Sequence, residues 1–177
     1  MNVMIANMKN VLIICGFIVL NACTGHPQNI KPVEGFQLER YLGTWYEIAR
    51  LDHSFERGLE QVTATYSMRE GGGVRVLNKG FNIRNNEWSE AEGKAFFVKD
   101  EATAHLKVSF FGPFYGSYVV FQLDPDYQTA FVVGHDLSYL WLLSRATTVS
   151  VETKTRFLQN IKANGFDVDE LIWVNQQ

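Results

Sequence analysis

Short runs of alternating apolar and polar residues fill most of the chain after residue 40. Such alternation is typical of β-strands that bury one face. Turn signals separate the runs, among them Glu70-Gly71-Gly72-Gly73 and Asp124-Pro125-Asp126. We expect eight strands, near Thr44–Leu51, Gln61–Arg69, Val74–Phe81, Glu90–Val98, His105–Phe110, Ser117–Asp124, Thr129–Val133 and Tyr139–Arg145.

The predicted strands follow one another without helices between them. Parallel neighbours need long crossover connections, so these strands must be antiparallel. An up-and-down sheet of eight strands closes into a β-barrel whose interior can hold one small ligand. The sequence therefore predicts an all-β protein built on an eight-stranded antiparallel barrel.

One later stretch has the helical period instead. Ser150 is a suitable N-cap, and Asn164-Gly165 favours a helix stop. The apolar stripe between them consists of Val151, Phe157, Leu158 and Ile161. We expect this C-terminal helix to pack outside the barrel, and a short final strand, Leu171–Val174, to pair beside the first strand.

The N-terminus carries an export signal rather than part of the fold. Lys9 precedes an apolar run, Val11–Leu20, which is too short to span a bilayer. The run leads into Leu20-Asn21-Ala22-Cys23, which resembles the lipobox of bacterial lipoproteins. We therefore expect residues 1–22 to be a signal peptide, with Cys23 acylated as a lipid anchor. The alternative is an ordinary secretory signal cut near Ala22.

The mature chain then divides into two parts. Residues 23–35 are polar with two prolines, which predicts a lipidated tether, and residues 36–177 form the domain. A formal net charge of −3 argues against a nucleic-acid surface. Cys15 lies in the discarded segment, so no disulfide or free thiol is expected.

Candidate catalytic chemistry is missing from the sequence. His53, His105 and His135 lack the spacing of metal ligands, and no nucleophile elbow, phosphate loop or dinucleotide fingerprint occurs. Asp52 and His53 are adjacent on a predicted loop, where we expect both to be solvated. We predict no catalytic residue, no metal, no cofactor and no enzymatic activity.

Three stretches together resemble the lipocalin family, and its bacterial outer-membrane members in particular. The first is Tyr41–Arg50, with its Gly43-Thr44-Trp45-Tyr46 tetrad, and the others are Lys107–Tyr118 and His135–Arg145. The resemblance covers about residues 35–177. It implies that Arg145 stacks on Trp45 and closes the barrel floor beside Gly43. The chain departs from the family at Asp124-Pro125-Asp126-Tyr127, where a threonine is lost, and we expect this to affect the fine packing of the floor.

Strand parity, anchored on the family pattern, predicts the side chains that face inward. The wall residues expected to bind the ligand are Ala64, Tyr66, Val76, Asn78, Phe97, Val108, Phe110, Phe131, Tyr139, Trp141 and Leu143. The same count also turns Ala95, Leu106, Val119, Phe121 and Val133 inward. Four aromatic residues are expected on loops at the open end, or mouth, of the barrel: Phe55, Trp88, Phe114 and Tyr115.

An apolar wall with few polar groups suits an acyl chain. The resemblance implies that the ligands are fatty acids or lysophospholipids, with the head group near Arg57, Arg84, Tyr115 and His135. It also implies a lipid anchor in the outer membrane, which we expect on the periplasmic face. A filled core would show the same alternation. The alternative function is thus an envelope-assembly scaffold whose mouth binds a partner protein or a second copy of the chain.

Overall fold

A computed structural model describes residues 24–177, so the predicted signal peptide and Cys23 lie outside the described residues. A short helix, α1 (Leu38–Tyr41), precedes the first strand. The barrel strands are β1 (Gly43–Arg50), β2 (Leu59–Met68), β3 (Val74–Asn82), β4 (Glu87–Phe97), β5 (His105–Ser109), β6 (Gly116–Leu123), β7 (Thr129–Val133) and β8 (Leu140–Ser144). A longer helix, α2 (Val151–Ala163), and a two-residue strand, β9 (Ile172–Trp173), complete the fold.

The sheet closes on itself. Each barrel strand pairs antiparallel with the next along the chain, and β1 pairs with both β2 and β8. β9 adds to the upper half of β1, opposite Ala49 and Arg50. The predicted up-and-down barrel, outer helix and final strand are confirmed. Helix α1 is an addition that the sequence pattern did not indicate.

Two separate apolar cores form on the two sides of the barrel wall. The inner core fills the closed end around Trp45, Val120 and Val132. The outer core lies between the wall and α2, where the Phe157 ring meets the Phe131 ring edge-on at 4.9 Å. Strands β6 and β7 are therefore buried on both faces, and all five residues of β7 are buried.

Helix α2 begins and ends where the sequence predicts. The Ser150 hydroxyl accepts a hydrogen bond from the backbone N–H of Thr153, 3.1 Å away. Gly165 takes a positive φ of 84° just after the helix, a conformation that favours glycine. Only part of the predicted stripe is buried, because Phe157 and Ile161 face the barrel while Val151 and Leu158 remain exposed.

The segment before α1 packs on the barrel instead of forming a free tether. Ile30 is buried in the outer core, and the backbone N–H of Val33 bonds to the carbonyl of Val120. The Asn29 amide donates to the carbonyl of Asn164 at the end of α2. The expectation of a free tether is wrong for residues 24–35, because Ile30 is buried in the outer core and Val33 packs against the inner core.

A β-bulge in β1 changes which of its side chains face inward. Glu47 lies opposite Leu143 and Ala49 lies opposite Leu142, so Ile48 is the extra residue. Beyond the bulge, Arg50 comes opposite the inward-facing Trp141. One strand thus contributes Trp45, Glu47 and Arg50 to the interior.

Candidate ligand site in the barrel

The closed end is sealed by one arginine. The Arg145 guanidinium lies 3.9 Å from the centre of the Trp45 ring, the contact that the resemblance implies. It also donates to the carbonyl oxygens of Thr44, Arg40, Tyr41 and Leu42 at 2.8–3.1 Å. Three of these carbonyls end α1, so Arg145 satisfies acceptors that a helix terminus leaves open.

Gly43 makes room for this arrangement. Its φ of 94° lies in the region that favours glycine, and a Cβ there would come within 3.3 Å of Arg145 Nη1. Glycine is thus required at this position for two reasons, backbone conformation and space.

The departure from the family motif leaves the floor well ordered. The Asp124 carboxylate accepts from the backbone N–H groups of Asp126, Gln128 and Thr129. These bonds hold the pKa of Asp124 below its usual value against the opposing effect of desolvation. The turn presents Tyr127, whose hydroxyl accepts from the backbone N–H of Gln37 at 2.9 Å.

Three tyrosine hydroxyls form a hydrogen-bonded cluster above the floor. Tyr118 bonds to Tyr41 at 2.6 Å and to Tyr66 at 2.8 Å. Burial raises the pKa of all three phenols, so they stay neutral. The three hydroxyls satisfy one another's hydrogen-bonding capacity, so the closed half of the barrel presents an apolar surface to a ligand.

The inner wall changes from filled to open along the barrel. Trp45, Ala64, Asn78 and Ala91 lie opposite one another across β1 to β4, forming one inward-facing row. Trp45 is fully buried, Ala64 and Asn78 are partly exposed, and Ala91 is exposed. Because strands tilt in a barrel, such a row rises from the floor towards the mouth. The exposure of these inward-facing residues therefore increases from the floor towards the mouth.

Nine of the eleven predicted wall residues face the interior, from strands β2 to β5 and β8 or, for Phe110, from the position just after β5. Eight of them belong to the inner core or pack against it: Ala64, Tyr66, Val76, Phe97, Val108, Phe110, Trp141 and Leu143. Asn78 shares their face, and its Oδ1 is buried without a hydrogen-bond partner. Tyr139 lies just before β8 at the mouth.

The prediction for Phe131 is wrong. Phe131 faces outward and packs under α2, as do Val119, Phe121 and Val133. The residues of β6 and β7 that line the interior are instead Tyr118, Val120, Ala130 and Val132. Helix α2 covers this part of the wall, so large apolar side chains point both inward and outward. Alternation of polar and apolar residues therefore cannot show which face of these strands is the inner one.

A buried charged cluster lies inside the upper barrel, and the sequence analysis missed it. Arg50 Nη1 contacts Glu47 Oε1 at 2.7 Å, and both side chains are almost wholly buried. Arg50 Nη2 also donates to the carbonyls of Glu56 and Leu59. The Glu56 carboxylate accepts from Trp141 Nε1 at 3.0 Å. One guanidinium therefore lies beneath the mouth with two carboxyls, that of Glu47 in contact with it and that of Glu56 near enough to feel its charge.

The cluster holds its carboxyls in an unusual state. Burial, followed by the neighbouring Glu56, raises the pKa of Glu47 to about 8, and this outweighs the opposing effect of Arg50. Burial likewise raises the pKa of Glu56. One acid of the pair thus tends to keep its proton near neutral pH, since a single arginine balances only one negative charge.

His53 joins this cluster, contrary to the expectation that it is solvated. It is 5% exposed and stacks on Tyr139 with ring centres 4.8 Å apart. Burial, followed by Arg50, lowers the pKa of His53 to about 4, so the ring is neutral. His135 packs on the same tyrosine at 4.9 Å, so Tyr139 brings together two histidines that are distant in sequence.

The four predicted mouth aromatics divide into two groups. Phe55 and Phe114 are 62% and 67% exposed on open-end loops. Trp88 and Tyr115 face outward instead, Trp88 packing on Phe81 and Tyr115 on Phe96. Two further exposed residues of the open end were missed, Ile83 at 53% and Phe111 at 82%.

The predicted head-group residues do not converge. Arg57 is paired with Asp52 on the outside of the first loop, and Arg84 packs against Gly58. His135 contacts Asp136 at 3.0 Å, and Tyr115 faces away from the interior. The polar groups that do converge are those of the Glu47, Arg50 and Glu56 cluster. Glu47 could have been found from the sequence, because it is two residues from inward-facing Trp45, whereas Arg50 depends on the bulge.

Within residues 24–177, no group of three or more His, Cys, Asp or Glu side chains is arranged to hold a metal ion. Neither helix in that part of the chain has the length and apolar character needed to cross a bilayer.

Comparison with known proteins identifies the family to which this barrel belongs. Residues 36–176 match the family model of the lipocalin-like domain. The outer membrane lipoprotein Blc of Vibrio cholerae is 54% identical over 171 residues, covering 96% of this chain and all of the relative. Blc of Escherichia coli K12 is 55% identical over 150 residues, 85% of each chain. The crystal structure of insecticyanin from Manduca sexta shares the fold, with a TM-score of 0.66 at 20% identity over 85% of this chain and 86% of that one.

The chain belongs to the lipocalin family. Within that family it is a bacterial outer membrane lipoprotein, like the relatives from Vibrio cholerae and Escherichia coli.

Proposed function

We propose that this protein binds fatty acids or lysophospholipids in its barrel and holds or carries them at the outer membrane. Cys23 would be the acylated anchor, and the barrel would stand on the periplasmic side. The upper wall supports this proposal, because inward-facing Ala64, Asn78 and Ala91 keep solvent contact above a packed floor. Binding rather than catalysis is the role that this wall favours.

The small side chains of that row leave space where an acyl chain would lie. Alanine and asparagine stand at positions where a barrel with a solid core would carry large apolar residues. Val108, Phe110 and Trp141 supply apolar surface around the space. Burying about ten methylene groups at about 0.8 kcal/mol each, less the cost of ordering, gives an affinity in the micromolar range.

The charged cluster bears on the choice between the two ligand classes. Two carboxyls and one arginine lie beneath the mouth, where a head group would sit. A fatty-acid carboxylate would add a third acid to this cluster, which is unfavourable. The ammonium group of a lysophosphatidylethanolamine would instead offset the second carboxyl, which otherwise keeps its proton, while the phosphate would stay towards solvent at the mouth. We therefore expect lysophosphatidylethanolamine to bind more tightly than a free fatty acid of equal chain length.

A tryptophan titration tests the proposal. Residues 24–177 preceded by Cys23→Ser would be titrated with lysophosphatidylethanolamine and with palmitate, each below its micelle concentration. We expect a saturable change in emission at micromolar ligand that Trp141→Phe abolishes. Trp88→Phe is the matched control, because Trp88 is 52% exposed on the outer wall. A response to neither ligand would refute the carrier function and favour the scaffold, whose mouth binds a protein or a second copy.

A further inference from the structure

We infer that the anchor holds the barrel with its mouth turned away from the anchoring membrane, so that the apolar loops at the mouth dock on a second lipid surface. This inference rests on the proposed function, in which Cys23 carries the anchor and lipid enters through the mouth.

The anchor leaves the barrel wall near its closed end. His105 is the first residue of β5, and β5 runs from the closed end towards the mouth. The His26 ring packs edge-on against His105 with centres 5.3 Å apart, and Thr24 lies beside the same histidine. Thr24 to His26 share a surface depression with Val98 and Asp100, which belong to the closed-end loop before β5.

Little free chain separates this attachment from the membrane. Thr24 directly follows Cys23, and the Asn29 amide and the buried Ile30 fix the segment further along. The nine residues of β3, at about 3.3 Å each and a tilt of about 40°, place the mouth about 20 Å above the floor. With Thr24 attached near the closed end and Cys23 directly before it, the anchor enters its bilayer beside the floor of the barrel rather than beside the mouth.

The mouth nevertheless carries the apolar residues of a membrane-contacting surface. Phe55, Ile83, Phe111 and Phe114 are between 53% and 82% exposed on three open-end loops, β1–β2, β3–β4 and β5–β6. Exposed apolar groups of this kind mark contact with a membrane or a protein. A bilayer fits better here, because it can cover the tips of separate loops around one entrance without matching their spacing. On the β1–β2 loop, the charge of Arg57 is already paired with Asp52.

Mature acylated protein in vesicles tests the orientation. Cys15 and Cys23 are the two cysteines of the sequence, so an introduced Phe114→Cys would be the one free thiol of the acylated mature chain. An environment-sensitive fluorophore at this site should report water in phosphatidylethanolamine–phosphatidylcholine proteoliposomes. It should report lipid only after protein-free vesicles of the same composition are added. The same label at Met68→Cys, 57% exposed at the closed end, should not respond to the second vesicles.

A transfer assay tests the docking. We expect Phe111→Ser with Phe114→Ser to slow movement of a fluorescent lysophospholipid from proteoliposomes to acceptor vesicles by about tenfold or more, because each phenylalanine loses its apolar contact. Met68→Ser should change the rate less than twofold. A label at position 114 that reports lipid before the second vesicles are added would overturn the orientation.

The two proposals fail in different ways. If the tryptophan titration shows lysophospholipid binding but second vesicles never shift the Phe114→Cys label, docking is wrong and the carrier function stands. If the label is shifted by an added soluble protein rather than by vesicles, the occupant is a protein and the inference is overturned. Absence of binding in the titration removes the carrier function itself.

Discussion

Arg50 lies directly opposite Trp141 in the β1–β8 pair, and both side chains face the interior of the barrel. Without the bulge at Ile48, Arg50 would fall on the outward side with Tyr46. The bulge therefore decides that a guanidinium, rather than an alanine, stands beneath the mouth. Glu47 and Glu56 then meet this charge in a region from which water is largely excluded.

This cluster predicts that stability falls as the pH rises from 6.5 to 8. The pKa of Glu47 is raised from 4.5 to about 8, so its contribution is complete below pH 4.5 and is lost as pH rises towards 8. Glu56 acts in the same direction. Urea unfolding across this interval should show a loss of up to about 1.4 kcal/mol per pH unit.

Glu47→Gln should flatten that slope, whatever its effect on absolute stability. The pKa of His53 is lowered from 6.5 to about 4, so its contribution is complete above pH 6.5 and is lost only below it. His53 therefore cannot produce the change between pH 6.5 and 8, and His53→Gln is the control that should keep the slope. An unchanged slope in Glu47→Gln would show that Glu47 does not carry the proton that is lost in this interval.

The floor predicts a large cost for removing Arg145. Arg145→Ala exposes the face of Trp45 and leaves the carbonyls of Arg40, Tyr41 and Leu42 without their donor. We expect a loss of about 3 kcal/mol in the free energy of unfolding. Arg145→Lys should recover only part of it, because an ammonium cannot match the planar fork. Arg75→Ala, which removes an exposed ion pair with Glu92, should cost less than about 1 kcal/mol.

Because Phe131 faces outward, its truncation should lower the stability of the protein without changing its affinity for lysophospholipid. Phe131→Ala removes the ring that Phe157 packs against, and it should lower the free energy of unfolding by about 3–5 kcal/mol. Because the ring lies on the α2 side, lysophospholipid affinity should be unchanged while the protein remains folded. A tryptophan titration well below the unfolding temperature measures this. If the fully folded Phe131→Ala variant bound lysophospholipid more weakly, the outward placement of Phe131 would be wrong.

Filling the upper wall should have the opposite effect. Ala64 faces the interior beside Asn78 and is partly exposed, so Ala64→Phe can place its ring in open space at little cost in stability. We expect lysophospholipid affinity to fall at least about tenfold, since the ring occupies the volume needed by several methylenes. Thr65→Phe on the neighbouring outward position is the matched control and should bind normally. If Ala64→Phe destabilises the protein by about 1–3 kcal/mol without altering affinity, the interior is already filled.

The sequence was sufficient for the architecture because the barrel strands alternate over most of their length. It also identified the Trp45–Arg145 pair, which depends on a family resemblance rather than on local pattern. Strands β2 to β5 face water on one side, so counting in twos from Tyr66 or Val76 gave the correct face.

The same count failed on β6 and β7, where no side is polar. Helix α2 and Ile30 cover the outside, and Phe131 and Val132 are both fully enclosed although they point in opposite directions. The charged cluster was missed for a related reason. Burial of Glu47 and Arg50 depends on partners from the first loop and from a bulge, and neither can be read from alternation.

The seal made by Arg145 has a consequence for how the chain reaches its folded state. The guanidinium and the carbonyl of Arg40 are 105 positions apart, and β8 must arrive before β1 acquires its second neighbour. Contacts of such high sequence separation form slowly, because a long loop loses entropy before any pairing compensates it. A polypeptide emerging N-terminus first during export therefore stays an open sheet, with β1 lacking its β8 neighbour, until nearly all of it has crossed, and a truncation before β8 removes closure altogether.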